Sequence, residues 1–326
     1  MEQIASLDNI HLAYYKACRG KQGKKEVARF REHFDYNVTL LQKSLAEGDV
    51  AMGEYRYFTI HDPKQRTICA APFNERVLQH AIMNVCNPYF DKTLIDTTYA
   101  TRKGKGVYAA LDKAVTALSH YEYTVKLDVR KYYDSIDHNV LKRRLRRMFK
   151  DKALLCIFDK IIDTYCVADG RGLPIGNLTS QYFANTYLSE LDHNAKEIYH
   201  APLYIRYMDD ILIAGNDIVA LKQCVEQMQE YAKNQLHIVF KPPIYRKSKD
   251  GQTFLGYRVM PYHYKLSGRS KRRFRSKLLT YNKLLETDKW SEGDYKDHIL
   301  PLLAFTEHAD SKGFRRSCIQ ILRCQS

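Results

Sequence analysis

The sequence predicts an α+β fold, with short antiparallel strands and separate amphipathic helices. Tyr204-Ile205-Arg206-Tyr207 and Ile211-Leu212-Ile213-Ala214 are β-prone runs joined by Met208-Asp209-Asp210, the pattern of a tight hairpin. Arg56 to Ile60 and Arg66 to Ala70 make a second pair of runs, separated by the turn-forming Asp62-Pro63-Lys64-Gln65. Longer stretches between such runs place apolar residues every three or four positions, the period of a helix with one buried face.

A chain of 326 residues can bury a sizeable core. Its net charge of +15 predicts a polyanionic partner, nucleic acid before membrane. No apolar run is long enough to cross a bilayer, so no membrane association is expected. Met1-Glu2-Gln3-Ile4-Ala5 lacks the basic-then-apolar pattern of a secretory leader. The eight cysteines form no Cys-x-x-Cys pair, which argues against zinc and for free thiols in a reducing cytoplasm.

In chain order, the first long helix is expected from Lys25, with Val27, Phe30, Phe34, Val38, Leu41 and Leu45 on one face and Gly48 and Gly53 at its end. The Arg56 and Arg66 runs pair back on each other. Asn74 is placed to cap the next helix, with Leu78, Ala81, Ile82 and Val85 inward. Thr101-Arg102-Lys103-Gly104-Lys105-Gly106 is a basic, glycine-containing loop without the spacing of a nucleotide P-loop. It is either a contact for a nucleic-acid backbone or a solvated turn. A helix follows, with Val107, Leu111, Ala114 and Leu118 on one face.

Tyr121 to Val129 alternates: Tyr123, Val125, Leu127 and Val129 share one face, Thr124, Lys126 and Asp128 the other. His138 to Lys150 reads as a helix, with Leu141, Leu145 and Met148 inward and a run of Lys and Arg around them. That run either faces nucleic acid or is an ordinary solvated face. Gly170 to Asn177 is a loop, and a helix starts near Thr179 or Ser180, with Phe183, Tyr187 and Leu191 as one stripe. Leu221, Val225, Met228, Ala232 and Leu236 mark a further helix, His237 to Lys241 a short strand, and Thr253 to Val259 another. From Gly268 the chain turns basic and helical, which puts a boundary near residue 266.

Asp128 and the Asp209-Asp210 pair each end a β element. Adjacent strands of one sheet could bring the three together. Three carboxylates around divalent ions suit in-line nucleotidyl transfer, and hard oxygen ligands suit Mg²⁺ or Mn²⁺. The alternative for Asp209-Asp210 alone is an exposed polar turn.

On these residues the chain resembles the reverse transcriptases, from about residue 55 to 260. Tyr207-Met208-Asp209-Asp210 resembles the family's catalytic turn, Lys126-Leu127-Asp128-Val129-Arg130-Lys131-Tyr132-Tyr133 its first metal-binding strand, and Phe254-Leu255-Gly256-Tyr257 its primer-grip hairpin. The resemblance implies a right-hand polymerase fold: fingers over 1–100 and 136–178, an antiparallel-sheet palm over 101–135 and 179–266, and a short basic helical thumb over 267–326. It implies Asp128, Asp209, Asp210 and the Val129 carbonyl as ligands of two Mg²⁺ ions, with Mn²⁺ a substitute. Tyr133 matches the aromatic that blocks a ribose 2′-hydroxyl. Arg66 and Arg76 fall where the family's fingers meet the incoming triphosphate, with Ile175 and Gly176 beside the nucleotide and Lys241 near the departing pyrophosphate. Arg102, Lys103, Lys105, Gln181, Phe254, Leu255, Gly256, Arg272 and Arg273 are the implied template and primer contacts.

Leu173-Pro174-Ile175-Gly176-Asn177-Leu178-Thr179-Ser180-Gln181 is most similar to the reverse transcriptases of diversity-generating retroelements, where most relatives have Gln-Gly-x-x-x-Ser-Pro. That group implies cDNA synthesis from a retroelement template RNA, error-prone at template adenines. Ile175 lacks the amide that could hydrogen-bond the nascent pair, or else it merely packs under the loop. The implied partners are template RNA, a cDNA or DNA primer, dNTPs and a small basic oligomeric accessory protein. The alternatives are a retron, CRISPR-associated or group II-type enzyme, or an inactive nucleic-acid-binding protein. The loop, and the expectation of no appended maturase or nuclease domain, argue against group II. The three aspartates and Tyr133 argue against inactivity.

Overall fold

The computed structural model describes residues 1–61 and 65–323, and side chains up to Gln320. The turn expected over Asp62-Pro63-Lys64 lies outside the described residues. The chain divides into two compact units: Met1–Asp96, Val129–Asn194 and Met228–Val239 form the first, and Thr97–Asp128, Ala195–Gln227 and Phe240–Ser326 the second.

The first unit opens with α1 (Leu7–Cys18), α2 (Lys25–Glu32), α3 (Phe34–Glu47), β1 (Arg56–Ile60), β2 (Arg66–Ala70) and α4 (Phe73–Lys92). The second supplies α5 (Val107–His120) and β3 (Tyr123–Asp128) before the first resumes with α6 (Tyr132–Ser135), α7 (His138–Met148), α8 (Lys152–Asp163) and α9 (Leu178–Tyr187). Then α10 (Ser189–Glu197) leads into β4 (Leu203–Tyr207) and β5 (Asp210–Gly215), and α11 (Ile218–Gln235) leads out. The rest is β6 (Ile244–Lys247), β7 (Gln252–Phe254), β8 (Tyr257–Met260), β9 (His263–Leu266), α12 (Gly268–Glu286), α13 (Glu292–Glu307) and α14 (Lys312–Arg323).

In the first unit, α1 was missed from the sequence. Ile10, Ala13, Tyr14 and Ala17 bury one face of it, and the Ser6 hydroxyl accepts from the Asn9 N–H as its cap. The helix expected from Lys25 is two, because His33 leaves helical geometry (φ −123°, ψ 45°) between α2 and α3. Its apolar face nevertheless continues: Val27, Phe30, Val38, Leu41 and Leu45 are all buried. β1 and β2 pair antiparallel as expected, with Arg56 opposite Ala70. Asn74 does not cap α4; Pro72 stands at the cap, and Asn74 falls inside the first turn. The core gathers Phe90, Phe149, Phe158 and Phe183 in tilted and edge-to-face contacts, with successive ring centres 5.3 Å apart. α8, also missed, brings Phe158 to that cluster.

The Lys/Arg run on α7 belongs to an internally paired face. Arg144 is buried and bonds Glu190 at 2.7 Å, Lys142 bonds Asp163 at 2.6 Å, and Arg146 bonds Asp159 at 2.5 Å. Arg147 also reaches Glu190, at 2.8 Å. This favours the ordinary-face alternative for that helix.

In the second unit, a four-stranded sheet runs β4-β5-β3-β6, and β7-β8-β9 form a three-stranded sheet. α5 lays Leu111, Ala114 and Leu118 into a core with Ile205, Leu212, Phe254, Tyr257 and Val259. Two expectations are corrected here. His237 to Lys241 is strand-like only at its end: His237 has φ +53°, a turn conformation, while the Val239 carbonyl accepts from the Arg130 N–H and the Lys241 N–H donates to the Asp128 carbonyl, both at 2.8 Å, and the regular partner of β3 on that side is β6. Thr253 to Val259 is not one strand but β7 and β8, bent at Leu255 (φ +48°) and Gly256 (φ +87°). The three C-terminal helices start at Ser267, whose hydroxyl accepts from the Ser270 N–H. Among the described residues, no helix is long and apolar enough to cross a membrane.

Candidate active site

The site is set by strand register. β3 and β5 pair antiparallel with Asp128 directly opposite Asp210, and β4 and β5 pair with Tyr207 opposite Asp210. Met208 and Asp209 are therefore the whole connection between β4 and β5. Met208 sits at φ +52°, a region a non-glycine residue occupies at a cost. Arg206 offsets it: the guanidinium donates through Nη1 to the Met208 carbonyl at 3.0 Å. Arg206 has no solvent exposure, and its backbone is fixed from both sides by Thr97 and Tyr99. Ile211 to Ala214 are fully buried, so the base of the hairpin is held by packing.

Two lysines enter this cluster. Lys241 donates from Nζ to Asp128 Oδ1 at 2.5 Å, and its backbone N–H donates to the Asp128 carbonyl at 2.8 Å. Lys126 Nζ lies 2.8 Å from Asp210 Oδ1. That oxygen is buried, so the pair is a partly desolvated ion pair. Burial, then repulsion from Asp210 and Asp128, pushes the Asp209 carboxyl up from 3.8 to about 6, against the pull of Lys241.

These residues suit a divalent cation. The donors are hard carboxylate oxygens, Asp209 is short of positive charge, and Asp210 Oδ1 is buried with only the Lys126 ammonium against it. Among the described residues, no three His, Cys, Asp or Glu side chains already converge as a ligand shell. Backbone register brings the aspartates together; two of their carboxylates are turned to lysines.

The other expected residues in the second unit hold separate places. Arg102 Nη1 donates to the Thr98 carbonyl at 3.1 Å, and the Lys105 ammonium lies 5.2 Å from the Tyr99 ring centre; Lys103 is exposed. Phe254 is buried, and the Gly256 carbonyl accepts from the Ser270 hydroxyl at 2.6 Å, which ties the Leu255–Gly256 bend to α12. Arg273 lies over the Phe305 ring at 5.7 Å, and Arg272 is exposed.

In the first unit, Val129 is buried, and Tyr133 sits on α6, where its carbonyl accepts from the Leu173 N–H at 2.9 Å. The Ile175 carbonyl accepts from the Cys69 N–H at 2.8 Å, so the loop docks on β2. Gly176 has φ +120°, and a Cβ there would stand 2.9 Å from the Cys69 carbonyl oxygen, so the close approach requires glycine. Gln181 is half-buried on α9, and Arg66 begins β2 on its exposed side.

Arg76 and Gly176 line one groove of about 630 Å³ with Lys21, Lys24, Lys25, Arg29 and Arg56. The N-terminal cations were missed from the sequence, because they lie on segments with no motif. The field is strongly positive. Arg76 is paired with Glu26 through Nη2, while its Nε is buried with no hydrogen bond. Burial and then Arg76 lower the Lys21 pKa. Burial, with Lys16, Lys21, Arg19 and Arg76 behind it, lowers His80 to about 4.

The chain is 22% identical over 203 residues to the COX1/OXI3 intron 1 protein of Saccharomyces cerevisiae, covering 58% of this chain and 24% of that one. It is 22% identical over 135 residues to the group II intron-encoded protein LtrA of Lactococcus lactis subsp. cremoris, covering 40% and 22%. The chain thus spans about a quarter of the length of these curated relatives. The apo telomerase structure from Candida tropicalis superposes with a TM-score of 0.52 at 12% identity, over 73% of this chain and 54% of that one. At that identity the likeness is one of fold, and it is consistent with the right-hand polymerase architecture. The family model for reverse transcriptase (RNA-dependent DNA polymerase) matches residues 60–259, more than half of the sequence, and the chain belongs to that family.

Proposed function

We propose that this chain is an RNA-directed DNA polymerase that extends a DNA primer with dNTPs along a template RNA. The observation that carries the reading is the β3–β5 register, which sets Asp128 opposite Asp210 with Asp209 in the adjoining turn. Asp128, Asp209, Asp210 and the Val129 carbonyl are the proposed ligands of two Mg²⁺ ions, with Mn²⁺ able to substitute. Bound there, the ions supply neutralisation of the attacking 3′-hydroxyl oxygen and of the leaving pyrophosphate. The protein does the positioning. The Arg206-braced turn aims Asp209, Lys241 holds Asp128, and Tyr133 excludes a 2′-hydroxyl. Arg66, Arg76 and the groove cations attract phosphates. The fingers, palm and thumb boundaries given above belong to this proposal.

The finer reading is a diversity-generating retroelement enzyme of cytoplasmic, microbial or phage origin, working with a small basic accessory protein. Ile175-Gly176 with Ser180-Gln181 supports it; the likeness to LtrA favours a group II-type enzyme as the second reading. A defined RNA template, a DNA primer and Mg²⁺ test the main reading: the product should be the complementary DNA. Misincorporation opposite adenine tests the finer one, and error rates unchanged in Ile175→Gln count against a role for Ile175.

A further inference from the structure

We infer that Lys126 is a built-in counter-ion of the aspartate cluster and weakens divalent-cation binding there. This rests on the reading of Asp128, Asp209 and Asp210 as a metal site. Lys126 lies two residues before Asp128 on β3, so the two side chains leave the sheet on the same face. Its strand neighbours are apolar, Leu212 on β5 and Ile244 on β6, and offer it no charge. The ammonium instead crosses diagonally to Asp210, and the Lys126 side chain is only 16% exposed. Solvent therefore screens the pair poorly.

The two lysines differ in how they hold their partners. Lys241 is tied to Asp128 by a side-chain and a backbone hydrogen bond. Lys126 meets Asp210 through the ammonium alone, with no backbone tie between the two residues, so the contact supplies charge more than orientation. With all carboxylates ionised, Lys126 and Lys241 leave the cluster of three aspartates with a single net negative charge. Lys126 thus lets the apo hairpin bring three carboxylates together, and it opposes any cation that approaches Asp210. One ammonium at contact distance in a partly buried site is worth on the order of tenfold in cation affinity.

The test is calorimetric titration of Mn²⁺ into metal-free, full-length protein. Lys126→Met should bind Mn²⁺ about tenfold more tightly than wild type, and Lys126→Arg should match wild type. Lys126→Gln, which keeps a polar head, should also tighten binding and stands in if the Met variant fails to fold. Asp209→Asn should lose the site. Unchanged or weaker binding in both neutral variants, with binding still abolished by Asp209→Asn, overturns this inference alone. No Asp209-dependent binding in wild type overturns the metal reading and this inference with it.

Discussion

The Arg206 guanidinium donates to the Met208 carbonyl, 3.0 Å away, from a position with no solvent exposure. A buried charge at the end of a β-run is expensive unless it is engaged, and here it braces a residue at φ +52° next to Asp209. Arg206→Met strands that carbonyl. We expect a loss of about 1–3 kcal/mol in urea unfolding. We also expect a fall in kcat for nucleotide addition larger than any rise in KM, because in the proposed reading the turn aims a metal-binding carboxylate and Arg66 and Arg76 meet the nucleotide.

Asp209 makes the metal-free protein sensitive to pH. Its carboxyl titrates at about 6 when folded and near 3.8 when free, so the folded state holds this proton more tightly. The resulting stability is fully present below pH 3.8 and is lost as pH rises through about 6. Asp209 retains some solvent contact, which trims the full effect to about 2 kcal/mol. Thermal unfolding without metal should show Asp209→Asn gaining on wild type from pH 5 to pH 7. Added Mg²⁺ should close that gap for wild type.

The groove and the α7 helix are both basic, yet they should behave differently. Lys24, Lys25 and Arg29 line a cavity, whereas Lys142 and Arg146 are held by Asp163 and Asp159. Charge reversal of Lys24 and Lys25 should weaken RNA binding and lower the slope of log K against log salt by roughly one per lost phosphate contact. Lys142→Ala with Arg146→Ala should leave both unchanged in a filter-binding titration.

Gly176 is a backbone requirement. With φ +120° and the Cys69 carbonyl oxygen 2.9 Å from any added Cβ, Gly176→Ala must lift the loop off β2. A cost of about 1–3 kcal/mol is expected by denaturant unfolding. Ile175→Ala, which spares the Ile175 carbonyl bond to Cys69, should not release the loop.

Legibility followed the range of the forces involved. The hairpin, the β3 alternation and the α11 stripe were readable because each is fixed by residues a few positions apart. The helix break at His33 was not, since the apolar period runs straight through it. The α7 run could not be assigned from sequence because its acids lie on α8 and α10. Within the site, the three aspartates were legible as strand ends. The diagonal from Lys126 to Asp210 depends on register, which no local pattern states, although a lysine two before Asp128 on the same face was a signal. Arg206 carried another, a charge inside an apolar run.

Primer extension on an RNA template tests the central claim most directly, comparing wild type with Asp128→Asn and Asp209→Asn. The three-aspartate account predicts templated DNA from wild type in Mg²⁺ and at least a hundredfold loss in each variant, on the order expected when charge stabilisation of a transition state is removed. Equal extension by all three proteins, or none by wild type even with the proposed accessory protein and template RNA supplied, would contradict it.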